Sequence, residues 1–243
     1  MTAPLDLGKV IAGAFLLPWW HRKAFARALV IPVALFMAFS VLWHYYGITQ
    51  LPWFAALIVN AAYGMVFTLF AVTCHRLVLL DPESPSRAWR PRWTLRETRF
   101  ILWLSGLWLV GVAASMALLA VVGTVWVNVA GDSGIDLDRM QLAVQLVLLY
   151  PLARLCVLFP ATAVDRDPMP NLRWAWDLTR DNGWRLVVIV GFLPWLFAQL
   201  VDLAYRSNAT WLEWLLLSVL AIAFLAVEIA AVSISYRELT KKA

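Results

Sequence analysis

The sequence predicts an all-α, polytopic membrane bundle: six transmembrane helices, two amphipathic helices on the cytosolic surface, and both termini in the cytosol. Three observations predict it. Hydrophobic residues make up 63% and charged residues 14% of the 243 positions, against about 45–50% and 25% in soluble domains. The apolar residues gather into runs that reach the roughly 20 positions a bilayer crossing needs. Finally, every lysine and arginine except Arg139, Arg154 and Arg206 lies near a terminus or within 76–99 or 165–185, the bias that marks cytosolic segments. The same bias accounts for the net charge of +5, so no nucleic-acid partner is expected. The 15 tryptophans suit a chain that meets the bilayer–water interface many times.

Residues 5–23 are too short and too interrupted to span, with Asp6 and Lys9 set among Leu5, Leu7, Val10, Ile11 and Phe15. They read as an interfacial helix broken at Pro18 before the basic group His21-Arg22-Lys23. The basic cluster follows the apolar stretch instead of preceding it, and no small-residue cleavage site stands out, so no signal peptide is expected. The first span covers about 25–46 and the second about 53–78, closing on Cys74-His75-Arg76. A polar loop with Arg87, Arg90, Arg92, Arg96 and Arg99 leads into the third span, about 100–129. The acidic loop with Asp132, Asp136 and Asp138 precedes the fourth, about 139–160. The fifth covers about 184–204 and the sixth about 211–236. Pro32, Pro151 and Pro194 fall inside spans and predict kinks.

Segment 170–183 reads as a second surface helix. Arg173, Asp177, Arg180 and Asp181 share one polar face, Arg173 and Asp177 form an i,i+4 ion pair, and Asn182-Gly183 supplies a C-terminal stop.

Charge inside a span is costly and marks a candidate site. Arg154 and Glu228 sit at similar depth below the cytosolic surface by the helical rise of about 1.5 Å per residue. They are expected to pair within the bundle, to line a polar pocket, or to stay unrelated with Arg154 snorkelling. At the cytosolic end of the second span, Arg76 either snorkels and complements its helix dipole, or joins His75 and Arg180 in holding an anionic headgroup. Tyr150, Asn60 and Tyr63 read as cavity-lining or as hydrogen-bonded cross-links between helices. Cys74 and Cys156 lie in apolar surroundings without metal-ligand spacing and read as reduced thiols. The three histidines are scattered, and no phosphate-binding loop or catalytic triad spacing occurs. No metal, cofactor or enzymatic activity is therefore expected.

Several short motifs in order resemble a bacterial family of six-helix membrane proteins. They are His75-Arg76-Leu-Val-Leu-Leu80, Leu152-Ala-Arg154 with Phe159-Pro160-Ala-Thr-Ala, and Ala175-Trp-Asp-Leu-Thr-Arg180 with Gly183-Trp184-Arg185. The terminal Ser235-Tyr-Arg-Glu-Leu239 completes the set. The family includes YciC-like proteins and the membrane domain fused to some glycerophosphodiester phosphodiesterases. The resemblance implies a fold and a bacterial cytoplasmic (inner) membrane location, and no chemistry; no phosphodiesterase domain is expected with this chain. The expectation is a non-enzymatic membrane protein that organises lipid, anionic on the cytosolic leaflet, or docks as an accessory or scaffold subunit on a larger complex or a second copy. The alternative is a small-solute or lipid transporter with its polar site near Arg154 and Glu228.

Overall fold

The computed structural model describes residues 4–46, 51–80, 93–130, 137–166, 169–192, 194, 195, 197–199 and 211–241. Among them the chain is all-helical, with no strand. The loop arginines 87, 90 and 92, the acidic residues 132 and 136, and Arg206 lie outside the described residues.

Helix α1, Leu7–Trp20, starts where Asp6 caps it, its carboxylate accepting from the Lys9 backbone N–H at 3.1 Å. Pro18 does not break it. The helix carries on through Trp19 and Trp20 and ends at the turn at His21, so the expected break comes two residues later. Helix α2, Arg22–Tyr46, begins at once and carries Pro32 inside it. Helix α3, Trp53–Leu79, and helix α4, Leu95–Ala130, follow. Helix α5, Leu137–Leu155, stops at a turn over Cys156 and Val157, and a short α6, Leu158–Ala163, resumes. The expected fourth span is thus a broken helix.

The second surface helix is shorter than expected. Helix α7 covers Leu172–Leu178 and ends at Thr179. Asn182, read from the sequence as part of a stop, is instead the N-cap of the next helix, α8, Gly183–Leu186. The Arg173–Asp177 pair does form, at 3.9 Å and largely in solvent, where such a pair contributes only about 0.3–0.5 kcal/mol. From Val187 to Phe192 the chain widens into a π-helical turn. Helix α9, Trp211–Thr240, closes the described chain.

Four segments are long and apolar enough to cross a membrane: Trp53–Leu79, Leu95–Val125, Met140–Ala163 and Leu215–Thr240. The most apolar stretch of α4 has no buried residue, and Leu102, Trp108, Val110 and Met116 all stand exposed on it. Such a surface belongs against hydrocarbon, since every backbone group is already paired within the helix.

The well-packed part lies at one end of the bundle. Phe70, Cys74, Phe100, Leu158, Ala161, Leu186, Ala230 and Leu239 are all buried there, where α3 ends, α4 begins and α9 ends. Helix α1 lies along α9, placing Gly13 against Ile234. Ahead of it the Leu5 backbone N–H donates to the buried Asn182 Oδ1 at 2.8 Å. The amphipathic helix is therefore docked on the bundle, with Val10 and Ala14 buried.

Two glycines let α5 approach the α8–π segment. A Cβ on Gly183 would stand 2.7 Å from the Tyr150 hydroxyl, and one on Gly191 would stand 2.5 Å from Leu149 Cγ. Gly191→Ala is expected to cost about 1–3 kcal/mol by overpacking. Thermal unfolding in detergent measures it, and Leu149→Ala in the same chain should restore part of the loss.

Candidate functional site

Arg154 and Glu228 do not meet. Arg154 is 4% exposed, and its guanidinium turns from the last residues of α5 toward α7. Its Nε donates to Thr179 Oγ1 at 3.1 Å, and a terminal nitrogen donates to the Trp176 carbonyl. The charge stacks over the Trp176 ring at 3.7 Å and stands 5.7 Å from the Tyr150 ring centre. Trp184 completes the aromatic wall, 5.0 Å from Tyr150. No ion pair to Arg154 occurs among the described residues. A buried cation is here solvated by π faces and neutral oxygens, an arrangement arginine accepts because its planar charge is weakly hydrated. Tyr150 serves it as a stacking partner.

His75, Arg76 and Arg180 occupy three different environments. His75 points into the core, its Nδ1 2.7 Å from Ser233 Oγ. Arg76 donates to the Ala163 carbonyl at 3.1 Å. Arg180 is exposed beyond the end of α7. The structure thus gives no common headgroup cradle of these three side chains. Nor do the other two polar candidates cross-link helices by hydrogen bonds among the described residues. The Asn60 amide donates to the Ala56 carbonyl of its own helix, and Tyr63 packs edge-on against Phe36 at 5.3 Å.

Within electrostatic reach of Arg76 lies a charged clasp at the base of the bundle, formed by Arg96, Glu97 and Asp165. Arg96 donates to Glu97 Oε1 from Nε at 3.0 Å and from Nη2 at 2.9 Å, while its Nη1 reaches Asp165 Oδ2 at 2.9 Å. Glu97, 3% exposed, also accepts from the Thr94 backbone N–H at 2.8 Å and from the Thr94 hydroxyl. Glu97 thus supplies the return half of a capping box at the start of α4, its carboxylate accepting from the N-cap backbone N–H. Asp165 has φ 53°, the left-handed conformation that closes α6. There Arg166 N–H returns to the Ala161 carbonyl at 3.1 Å and Asp165 N–H to the Thr162 carbonyl at 3.2 Å, the two hydrogen bonds that end a helix this way. Aspartate is among the few residues with a side chain that tolerate that conformation.

Two cavities lined by described residues carry the candidate site. The larger, about 670 Å³, is a groove between α4 and α5 with Val190 and Trp195 at its back. It follows α4 from Leu104 to Met116, about 18 Å at the helical rise of ~1.5 Å. Ser115, Gln145 and Cys156 are its polar side chains, and the rest of the lining is aliphatic, aromatic or thioether. Trp108 and Met116 on its rim are exposed, so it opens to the outside. The smaller, about 160 Å³, is a chamber lined by His75, Phe100 and Glu228 among apolar neighbours. Leu104, Cys156, Phe159 and Val190 border both spaces, so groove and chamber meet at these side chains. Glu228 has neither a hydrogen bond nor an ion pair among the described residues. No cluster of metal-ligating side chains occurs among them. Comparison with protein-family models, curated proteins and solved structures finds no match.

Proposed function

We propose that this chain is a non-enzymatic, lipid-organising membrane protein that holds a hydrocarbon chain in the groove between α4 and α5. In this reading it crosses the bacterial inner membrane six times with both termini cytosolic. The four crossing helices, α2 and the segment from Gly183 onward supply the spans, as the likeness to YciC-like proteins implies. The basic bias of residues 9–27, 76–99 and 165–185 sets the orientation. The exposed arginines 22, 27, 173 and 180 and Lys23 then face anionic headgroups, each such charge contributing about 1 kcal/mol near the surface.

The groove is the observation that carries the reading. Its volume falls within the roughly 300–1,000 Å³ of small-molecule sites, and it is apolar, elongated along the helices and open at the side. Gly111 lies on its wall, and the nearest atom a Cβ there would meet is Leu152 Cδ1 at 3.9 Å. Gly111→Phe therefore fills the groove without a clash at the point of attachment. Mass spectrometry of the protein released from lipid nanodiscs should show one retained lipid or alkyl ligand per chain, absent from Gly111→Phe. An identical ligand complement in both proteins would overturn the proposal.

The second reading is a small-solute or lipid transporter. The unpaired Glu228 beside the groove favours it, because an intramembrane carboxylate facing a cavity commonly marks a substrate or ion path.

A further inference from the structure

We propose that groove and chamber form one site for a cationic amphiphile, a long-chain amine whose hydrocarbon lies between α4 and α5 and whose ammonium sits against Glu228 and His75. This rests on the groove's being a hydrocarbon site and adds the chemistry of the head that goes with the tail.

The chamber presents acceptors. Ser233 has one hydroxyl hydrogen, and it is directed to the Ile229 carbonyl at 2.8 Å. Ser233 Oγ therefore accepts from His75 Nδ1 at 2.7 Å, which puts the ring proton on Nδ1 and leaves Nε2 as a bare lone pair. Nε2 makes no hydrogen bond among the described residues. Glu228, lining the same chamber, is likewise unpartnered. Arg154, the intramembrane cation expected to neutralise Glu228, is engaged by Thr179, Trp176 and Tyr150. A carboxylate and an imidazole lone pair facing an apolar space are complementary to an ammonium, which brings positive charge and only donors. A fatty acid or an anionic phospholipid head would instead meet like charge there.

The geometry supplies the remaining selectivity. The chamber is about 160 Å³, room for an ammonium and its first carbons but not for a phosphodiester headgroup with its glycerol. The groove continues past Leu104 for about 18 Å, which accommodates a single extended alkyl chain.

The test uses the full chain in nanodiscs of phosphatidylcholine, with empty nanodiscs correcting for partition. Hexadecylamine, hexadecanol and palmitate are titrated and the protein-bound fraction is counted by native mass spectrometry. Hexadecylamine should bind at least about thirtyfold more tightly than hexadecanol, the scale of a buried charge partner, and palmitate should bind weakest. Glu228→Gln, nearly isosteric, should remove the amine's advantage while leaving hexadecanol binding unchanged. Gly111→Phe should weaken all three. Equal affinity for amine and alcohol in the natural chain, or an amine preference that survives Glu228→Gln, overturns the amine site while the groove stands. If Gly111→Phe changes none of the three, the groove reading falls, and this inference with it.

Discussion

Arg154→Leu is expected to lower thermal stability in detergent by about 3 kcal/mol and to cut the folded yield sharply. Arg154→Lys is expected to rescue little of it. The change removes two hydrogen bonds from a charged donor, at about 1.5–3 kcal/mol each, and a desolvated cation–π stack worth about 2. Relief of the buried charge's desolvation offsets part of this. Lysine keeps the charge but loses the fork, since one ammonium does not lie flat on Trp176 while donating to both Thr179 Oγ1 and the Trp176 carbonyl. The double variant with Glu228→Leu separates this account from a buried ion pair. Independent sites add to within about 0.5 kcal/mol, and that is the expected result here. A coupling above about 1 kcal/mol would mean that Arg154 and Glu228 meet in the membrane after all.

Depth counting put those two residues together, and why it did not hold is instructive. The helical rise fixes how far along an axis a residue lies; it says nothing about which way the side chain turns around that axis. Arg154 and Glu228 can share a level, but Arg154 is turned to α7 and Glu228 to the chamber. Helix extents were more legible because they depend on run length alone: α3 covers Trp53–Leu79 against an expected 53–78. The break at Cys156–Val157 and the π-helical turn at Val187–Phe192 were not legible, because they depend on how α5 and the α8–π segment press on each other at Gly183 and Gly191. The groove was equally hidden, since a cavity is what packing leaves over. Thr94-x-x-Glu97 just ahead of an apolar run is different. That spacing announces a capping box, so the cap could be read from it, whereas the reach of Arg96 to Asp165, 69 positions on, could not.

The clasp gives the other large effect. Glu97→Ala is expected to cost about 3 kcal/mol and to loosen two helices that are distant in sequence. Its carboxylate holds the Thr94 cap and two nitrogens of the Arg96 guanidinium, Nε and Nη2, whose third nitrogen holds Asp165. Losing a cap costs about 1 kcal/mol. Leaving Arg96 without its buried partner adds a further 1–3, since the unsatisfied group bears the cost. Glu97→Gln should cost less, because the amide oxygen still accepts from Thr94 and Arg96 keeps its ion pair with Asp165. Hydrogen exchange locates the damage. Amides of the first turn of α4 should open first, and those closing α6, Val164 to Arg166, should open with them because Arg96 joins the two. Asp165→Gly isolates the second half: glycine keeps the left-handed backbone at no steric cost but cuts the tie to Arg96. In that variant the amides closing α6 should exchange as fast as they do in Glu97→Ala, while the start of α4, its cap intact, should change only slightly. If α6 instead stays protected, the backbone conformation, and not the ion pair, is what ends that helix.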